Sequence, residues 1–474
     1  MNSKIPLILL GAATISASSF AEILTYDGSA KGSFYDGANW DGTTPSKTSD
    51  IVFDNKAQAT PYELDATRGV TVNSITDNSI IDRTLEGPAQ WGNNIKINIG
   101  ESTFTILQNL TLASNHNFSP FTFIPGSNGV GEVVVNGNII SQLAKEDSGE
   151  ETVGESLFGG EGKILKSLTV GGNIELKGSK LRFHALNVDV KGVVNFDGDK
   201  SNTQLNLAYG SMSGQSVSIS FGGLNGIGKE IKFGGTSTSL VENTTITLRF
   251  TNSGISKFSG NFAYDEGGES TLQKNTYNLV MNGTSTGVQY YQDTGTKFSF
   301  DNVTVKSGKL NYYSEAGKST ISLEGGTLSP ATVTGEIAIL KAEAINWENG
   351  KISFDLVEDN SASDKIVLDY ALTKTSFSVP GGTREIELIF DPYDIAAWIA
   401  SGEEKRTYTL IEYASTDFKN GDIVFSQIDG INIDYNFGDT ALTVTLSKVP
   451  EPATIAAIFG ACALAMAAFR RRRK

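Results

Sequence analysis

Short runs in which apolar and polar residues alternate recur along most of this chain, and they end at glycine or asparagine. Between residues 70 and 345 the theme is clearest at Glu132–Ile140, Ser167–Leu176, Asn187–Phe196, Asn302–Tyr312 and Ser319–Leu328. Each reads as a short strand, a Gly/Asn corner and a second short strand. Alternation points one face of a strand into a core, and Gly or Asn accepts the positive φ of a tight corner. Strands this short cannot bury their own apolar face, so successive copies must stack. No helical pattern long enough for a β-α-β crossover separates them. The fold expected is all-β: a right-handed parallel β-helix, or β-solenoid, with an antiparallel β-sandwich array as the rival. At roughly 20–25 residues per coil, residues 70–345 would make on the order of a dozen coils. Spaced by about 4.8 Å, these would build a rod near 55 Å long. Val134, Val170, Val190, Val305 and Leu323 are expected inside it.

The pattern changes near Trp347. Lys351–Leu356, Arg384–Leu388 and Ala441–Leu446 alternate strictly, and Tyr408–Tyr413 is strand-like. Asp394–Gly402 reads as one short helix, with Asp394 as its N-cap and Gly402 past its end. Residues 346–447 are therefore expected to form a β-rich cap over the open end of the stack, and residues 22–69 an N-terminal cap. The acidic stretch within residues 141–162 reads as a loop protruding from the stack.

The two ends differ from the body. Lys4, the apolar run Ile5–Ile15 and the small residues Ser19 and Ala21 form a signal peptide over residues 1–21, with cleavage between Ala21 and Glu22. At the other end, Val449, Pro450, Glu451 and Pro452 precede an uncharged run over residues 453–469, followed by Arg470, Arg471, Arg472, Arg473 and Lys474. The run spans roughly 25 Å as a helix, the short limit for a bilayer. Its terminal basic block resists translocation and acts as a membrane stop. The two prolines hold the preceding segment extended and keep the helix out of the body.

This three-part tail, residues 449–474, resembles the PEP-CTERM sorting signal of Gram-negative bacteria. The resemblance implies recognition by an exosortase-type membrane protease and transfer to the cell surface, in bacteria associated with exopolysaccharide. The body also resembles surface proteins with autotransporter-associated β-strand repeats. That likeness rests on Gly32–Trp40, Pro45 and Asp50–Phe53 at the start, and on Trp347, Ser363–Leu368 and Tyr408–Ile411 near the end.

Charge narrows the partners. The whole chain carries a formal net charge of −15. Processing would remove one Lys with residues 1–21, and four Arg, one Lys and one Glu with residues 450–474. That leaves 32 basic against 52 acidic residues, a net of −20. So acidic a surface repels nucleic acid. The single cysteine, Cys462, lies in the tail, so the body has no disulfide.

Catalytic chemistry finds little footing. With only His116, His184 and Cys462, the chain lacks a body cysteine nucleophile and an N/S zinc set. No Gly-x-Ser-x-Gly elbow or P-loop occurs. Asp197-Gly-Asp199-Lys200 reads as a solvated turn, since Ala208 stands where a calcium loop would need an acid. Gly159–Gly162 lacks the Asp of a calcium-binding nonapeptide. Arg182 and His184 share one strand face. In Tyr290-Tyr291 and Tyr312-Tyr313 one ring must face out. The expectation is a non-enzymatic surface or extracellular-matrix protein, adhesin-like, needing no cofactor or metal. Its partners would be signal peptidase, the exosortase-type protease, the inner membrane transiently, and exopolysaccharide or matrix components. The rival is a secreted glycan-active β-helix enzyme, a lyase or hydrolase, which would need convergent carboxylates.

Overall fold

The structure is a computed structural model. It describes residues 21–26, 31–54, 62–78, 95–113, 121–145, 151–152, 155–160, 162–197, 203–207, 214–233, 243–264, 275–292, 298–314, 317–330, 337–357, 363–376, 382–390, 398 and 403–449. Apart from a 3-10 turn at Gly37–Asn39, every element with described bounds is a β-strand.

Three parallel ladders carry the body. The first starts at Glu22–Thr25, passes through Ser49–Phe53, Ser74–Asp77, Leu110–Leu112, Ile139–Gln142 and Ile174–Lys177, and ends at Arg384–Phe390 and Val424–Phe425. The second runs from Val70–Val72 through Thr103–Ile106, Val130–Val135 and Leu165–Val170 to Ala371–Lys374 and Ser415–Thr416. The third takes Lys31–Ser33, Tyr62–Asp65, Ile95–Gly100, Phe121–Pro125, Glu155–Phe158 and Lys180–Phe183. The chain visits the ladders in turn, so a strand pairs with one a full circuit later. Circuits are unequal: Lys309 pairs with Thr327, 18 residues on, whereas Glu385 pairs with Val424, 39 on. Successive motifs therefore pair in parallel, not in the antiparallel manner of a sandwich array.

Alternation decides what fills the interior. Ile106, Val135, Val170 and Val190 stand in register on consecutive rungs, all fully buried. Burying each such side chain contributes about 1.5–3 kcal/mol. Val170, Val190, Val305 and Leu323 are inside, as expected. Val134 is not: it points outward and is half-buried, while Val133 and Val135 are the buried pair. Three consecutive valines carry no alternation of their own. Their phase is set by pairing with Phe104 and Ile106.

Asparagine organises one corner. Asn109 Oδ1 accepts from Asn138 N (2.9 Å), Asn138 Oδ1 from Asn173 N (2.7 Å), and Asn173 Oδ1 from Val193 N (2.9 Å). Each amide thus takes a backbone donor of the next circuit, which the turn would otherwise leave unpaired. Gly172 sits so close to Asn138 Oδ1 and Gly137 O that no Cβ fits there.

Aromatic rings pack against the first rungs and against the last described ones. At the first, Trp40 is fully buried, its ring 5.0 Å from Tyr26, 5.1 Å from Phe34 and 5.9 Å from Phe53. Trp40 Nε1 donates to Phe34 O (3.0 Å), and Asn39 Nδ2 donates to Ser33 O (3.0 Å). At the last, a five-stranded sheet begins parallel, with Ile339–Ala342, Lys365–Leu368 and Lys405–Glu412. It then turns antiparallel with Ala441–Lys448 and Ile431–Phe437. Tyr435 lies 5.0 Å from Phe425, and Phe437 lies 5.3 Å from Phe418.

Strands from Glu22 onward already belong to the ladders, and parallel rungs continue to Phe425. Within residues 141–162, Ala144–Lys145 pairs antiparallel with Glu151–Thr152 as a separate excursion, whereas Glu155–Phe158 belongs to the third ladder. Of the expected helix Asp394–Gly402, only Trp398 is among the described residues; it is buried, with Arg406 over its ring at 5.3 Å.

Candidate functional site

The outer face of the third ladder carries a groove near the start of the stack. It encloses about 340 Å³ and is lined by Gly32, Glu63, Leu64, Asp65, Lys96, Asn98, Ile124 and Lys163. Glu63 and Asp65 occupy alternate outward positions on one rung, paired with Lys96 and Asn98 on the next. Asp65 Oδ1 accepts from Thr67 N (3.0 Å), and Asn98 Oδ1 accepts from Gly100 N (3.1 Å). Each therefore spends one side-chain atom on its own turn and leaves a second polar atom, the other carboxylate oxygen of Asp65 and the amide Nδ2 of Asn98, without a hydrogen bond among the described residues.

Lys163 arrives from further along the chain. Its turn is closed by Lys163 N donating to Gly160 O (2.9 Å) and Gly160 N donating to Lys163 O (3.1 Å). Gly159 takes φ +88°, and a Cβ on Gly160 would lie 2.7 Å from Thr122 Cγ2. Only glycines let this turn lie so flat against the ladder. The sequence singled out Gly159–Gly162 for a missing calcium ligand; Gly159 and Gly160 in fact seat the turn that carries Lys163.

Arg182, His184, Tyr291 and Tyr312 lie in the packing of the stack. Arg182 Nε lies 3.0 Å from Glu155 Oε1. Burial pushes the Glu155 carboxyl up, and the Arg182 and Lys180 charges oppose that shift. His184 is buried at the corner; burial, reinforced by Arg182, lowers its pKa to about 3, so it is a neutral imidazole near pH 7. Its backbone continues the stack, with N donating to Phe158 O (2.7 Å) and O accepting from Leu165 N (2.8 Å). Tyr291 and Tyr312 are buried and stacked at 5.8 Å, while Tyr290 faces out with Lys257 Nζ 5.0 Å from its ring. Asp197 is described; Asp199, Lys200 and His116 lie outside the described residues.

A buried carboxylate lies far from the groove. Asp364 Oδ1 accepts from Ala338 N (2.9 Å) and Oδ2 from Asp355 N (2.8 Å). Burial is the main cause that raises its pKa to about 7, with the neighbouring Asp355 charge adding to it. It ties three segments together at the start of the terminal sheet.

Of the expected processing residues, Ala21 precedes the first strand and Glu22 opens it. Val449 is exposed, its N donating to Gly430 O (2.9 Å). Pro450, Glu451, Pro452, the run 453–469 and Arg470–Lys474 lie outside the described residues, as do residues 1–20. Among the described residues no helix is long and apolar enough to cross a membrane, and no group of three or more His, Cys, Asp or Glu is placed to hold a metal ion. A scan against protein-family models finds none that matches this chain, and no curated protein matches it either.

Proposed function

We propose that this chain is an exported bacterial cell-surface or extracellular-matrix structural protein, adhesin-like and non-enzymatic, whose body is a right-handed β-solenoid. It is handled first by signal peptidase. An exosortase-type protease then reads the PEP-CTERM tail while the run 453–469 holds the chain in the inner membrane as a helix. The observation that carries this reading is the tail itself: Val449–Pro452, an uncharged run and the block Arg470–Lys474, in that order, on a chain that opens with a signal peptide.

Among the described residues, Glu22 opens a strand that pairs with Ser49–Phe53, and Val449 N donates to Gly430 O. Without disulfides, the parallel ladders supply the rigidity that a surface rod needs.

The test is replacement of Pro450, Glu451 and Pro452 together by alanine. The variant is expected to stay at full length in the inner membrane, while the parent reaches the surface. Equal release of both would remove the sorting role.

A further inference from the structure

We infer that the groove between Asp65 and Lys163 binds a neutral saccharide segment of about two residues. This rests on the surface-protein reading and adds a ligand class to it.

The argument starts from what the groove offers. Glu63 and Lys96 face one another across adjacent rungs and balance each other in charge. Among the described residues, neither Asp65 nor Lys163 makes an ion pair. The groove thus carries an acceptor pole at Asp65 and donor poles at Lys163 and Asn98 Nδ2. Among the described residues that line it, two carboxylates and two ammonium groups cancel, so a net anion or cation gains little from entering. A sugar diol meets such a lining on both counts, because each hydroxyl donates and accepts at once. The hydroxyls give to the carboxylate and take from the ammonium, in the charge-assisted bonds that are the stronger kind.

Size and setting agree. A space of about 340 Å³ lies at the lower end of the range for ligand pockets. The floor is rigid, since Leu64 and the rungs beneath it are core. The Gly159–Gly160 turn fixes the backbone from which Lys163 reaches the groove.

The experiment uses the purified exported protein and isothermal titration with cellobiose, maltose and lactose. Glycine betaine serves as a zwitterionic control and a galacturonate disaccharide as an anionic one. At least one neutral disaccharide should bind with a Kd of about a millimolar, as suits a shallow polar site. That affinity should fall fivefold or more in Lys163→Met and in Asp65→Asn, the latter keeping the acceptor for Thr67 N. Lys257→Ala, on another ladder, should leave binding unchanged, and matched melting curves will show that all three variants fold. Absence of binding by all three sugars, binding indifferent to both groove substitutions, or preference for betaine or the galacturonate would overturn the assignment. Failure here leaves the sorting experiment on residues 450–452 untouched, so the two readings fall separately.

Discussion

Val170 shows how much one position decides. It is fully buried between Val135 and Val190. Val170→Asp places an unpaired charge in that column and should cost several kcal/mol. Val134→Asp, on the outward phase of its strand, should cost well under half as much. Urea titrations of the two variants measure the contrast, and equal losses would mean the alternation is misassigned. Asp364 gives a second residue-scale prediction. Its carboxyl has a pKa of about 7 in the fold against an ordinary 3.8. The folded state therefore holds a proton that the unfolded state has released between those values. That contribution to stability is present below about pH 4 and is lost as pH rises toward 7. His184 acts oppositely: with its pKa lowered to about 3, its contribution is lost as pH falls below 6.5. Asp364→Asn should thus be less destabilising at pH 8 than at pH 5, by on the order of a few kcal/mol. A cost independent of pH in paired urea titrations would contradict this.

At the scale of elements, strands and corners were readable because both have local causes. Alternation marks Leu165–Val170 and Ile174–Lys177, and Gly171-Gly172 marks the corner between them. Register across circuits was not readable, because insertions of unequal length separate paired strands. The three valines at 133–135 therefore gave no phase, and the asparagine stack passed unseen. Asn109, Asn138 and Asn173 become one device only once their circuits are superposed. The groove was hidden for the same reason: Asp65, Asn98 and Lys163 meet through stacking, not spacing. The corner offers its own test. Gly172→Val drives a side chain into Asn138 Oδ1 and Gly137 O, so one circuit must shift. A loss of about 2 kcal/mol or more is expected in thermal or urea unfolding. Asn138→Ala, which removes only the acceptor for Asn173 N, should cost about 1 kcal/mol.

For the whole molecule, parallel ladders run from Glu22 to Phe425, and an antiparallel pair at Ile431–Lys448 follows them. Trp40 at one end and Tyr435 with Phe437 at the other keep apolar core from ending in water. That geometry suits the proposed surface protein, whose body has no disulfide. On that proposal both end segments are removed in passage. Intact-mass spectrometry of the protein recovered from the surface of its native cells tests it. The mass predicted corresponds to a chain that begins at Glu22 and lacks the apolar run 453–469 and the block Arg470–Lys474. A surface-derived mass that still includes Met1, or that extends to Lys474, would contradict it.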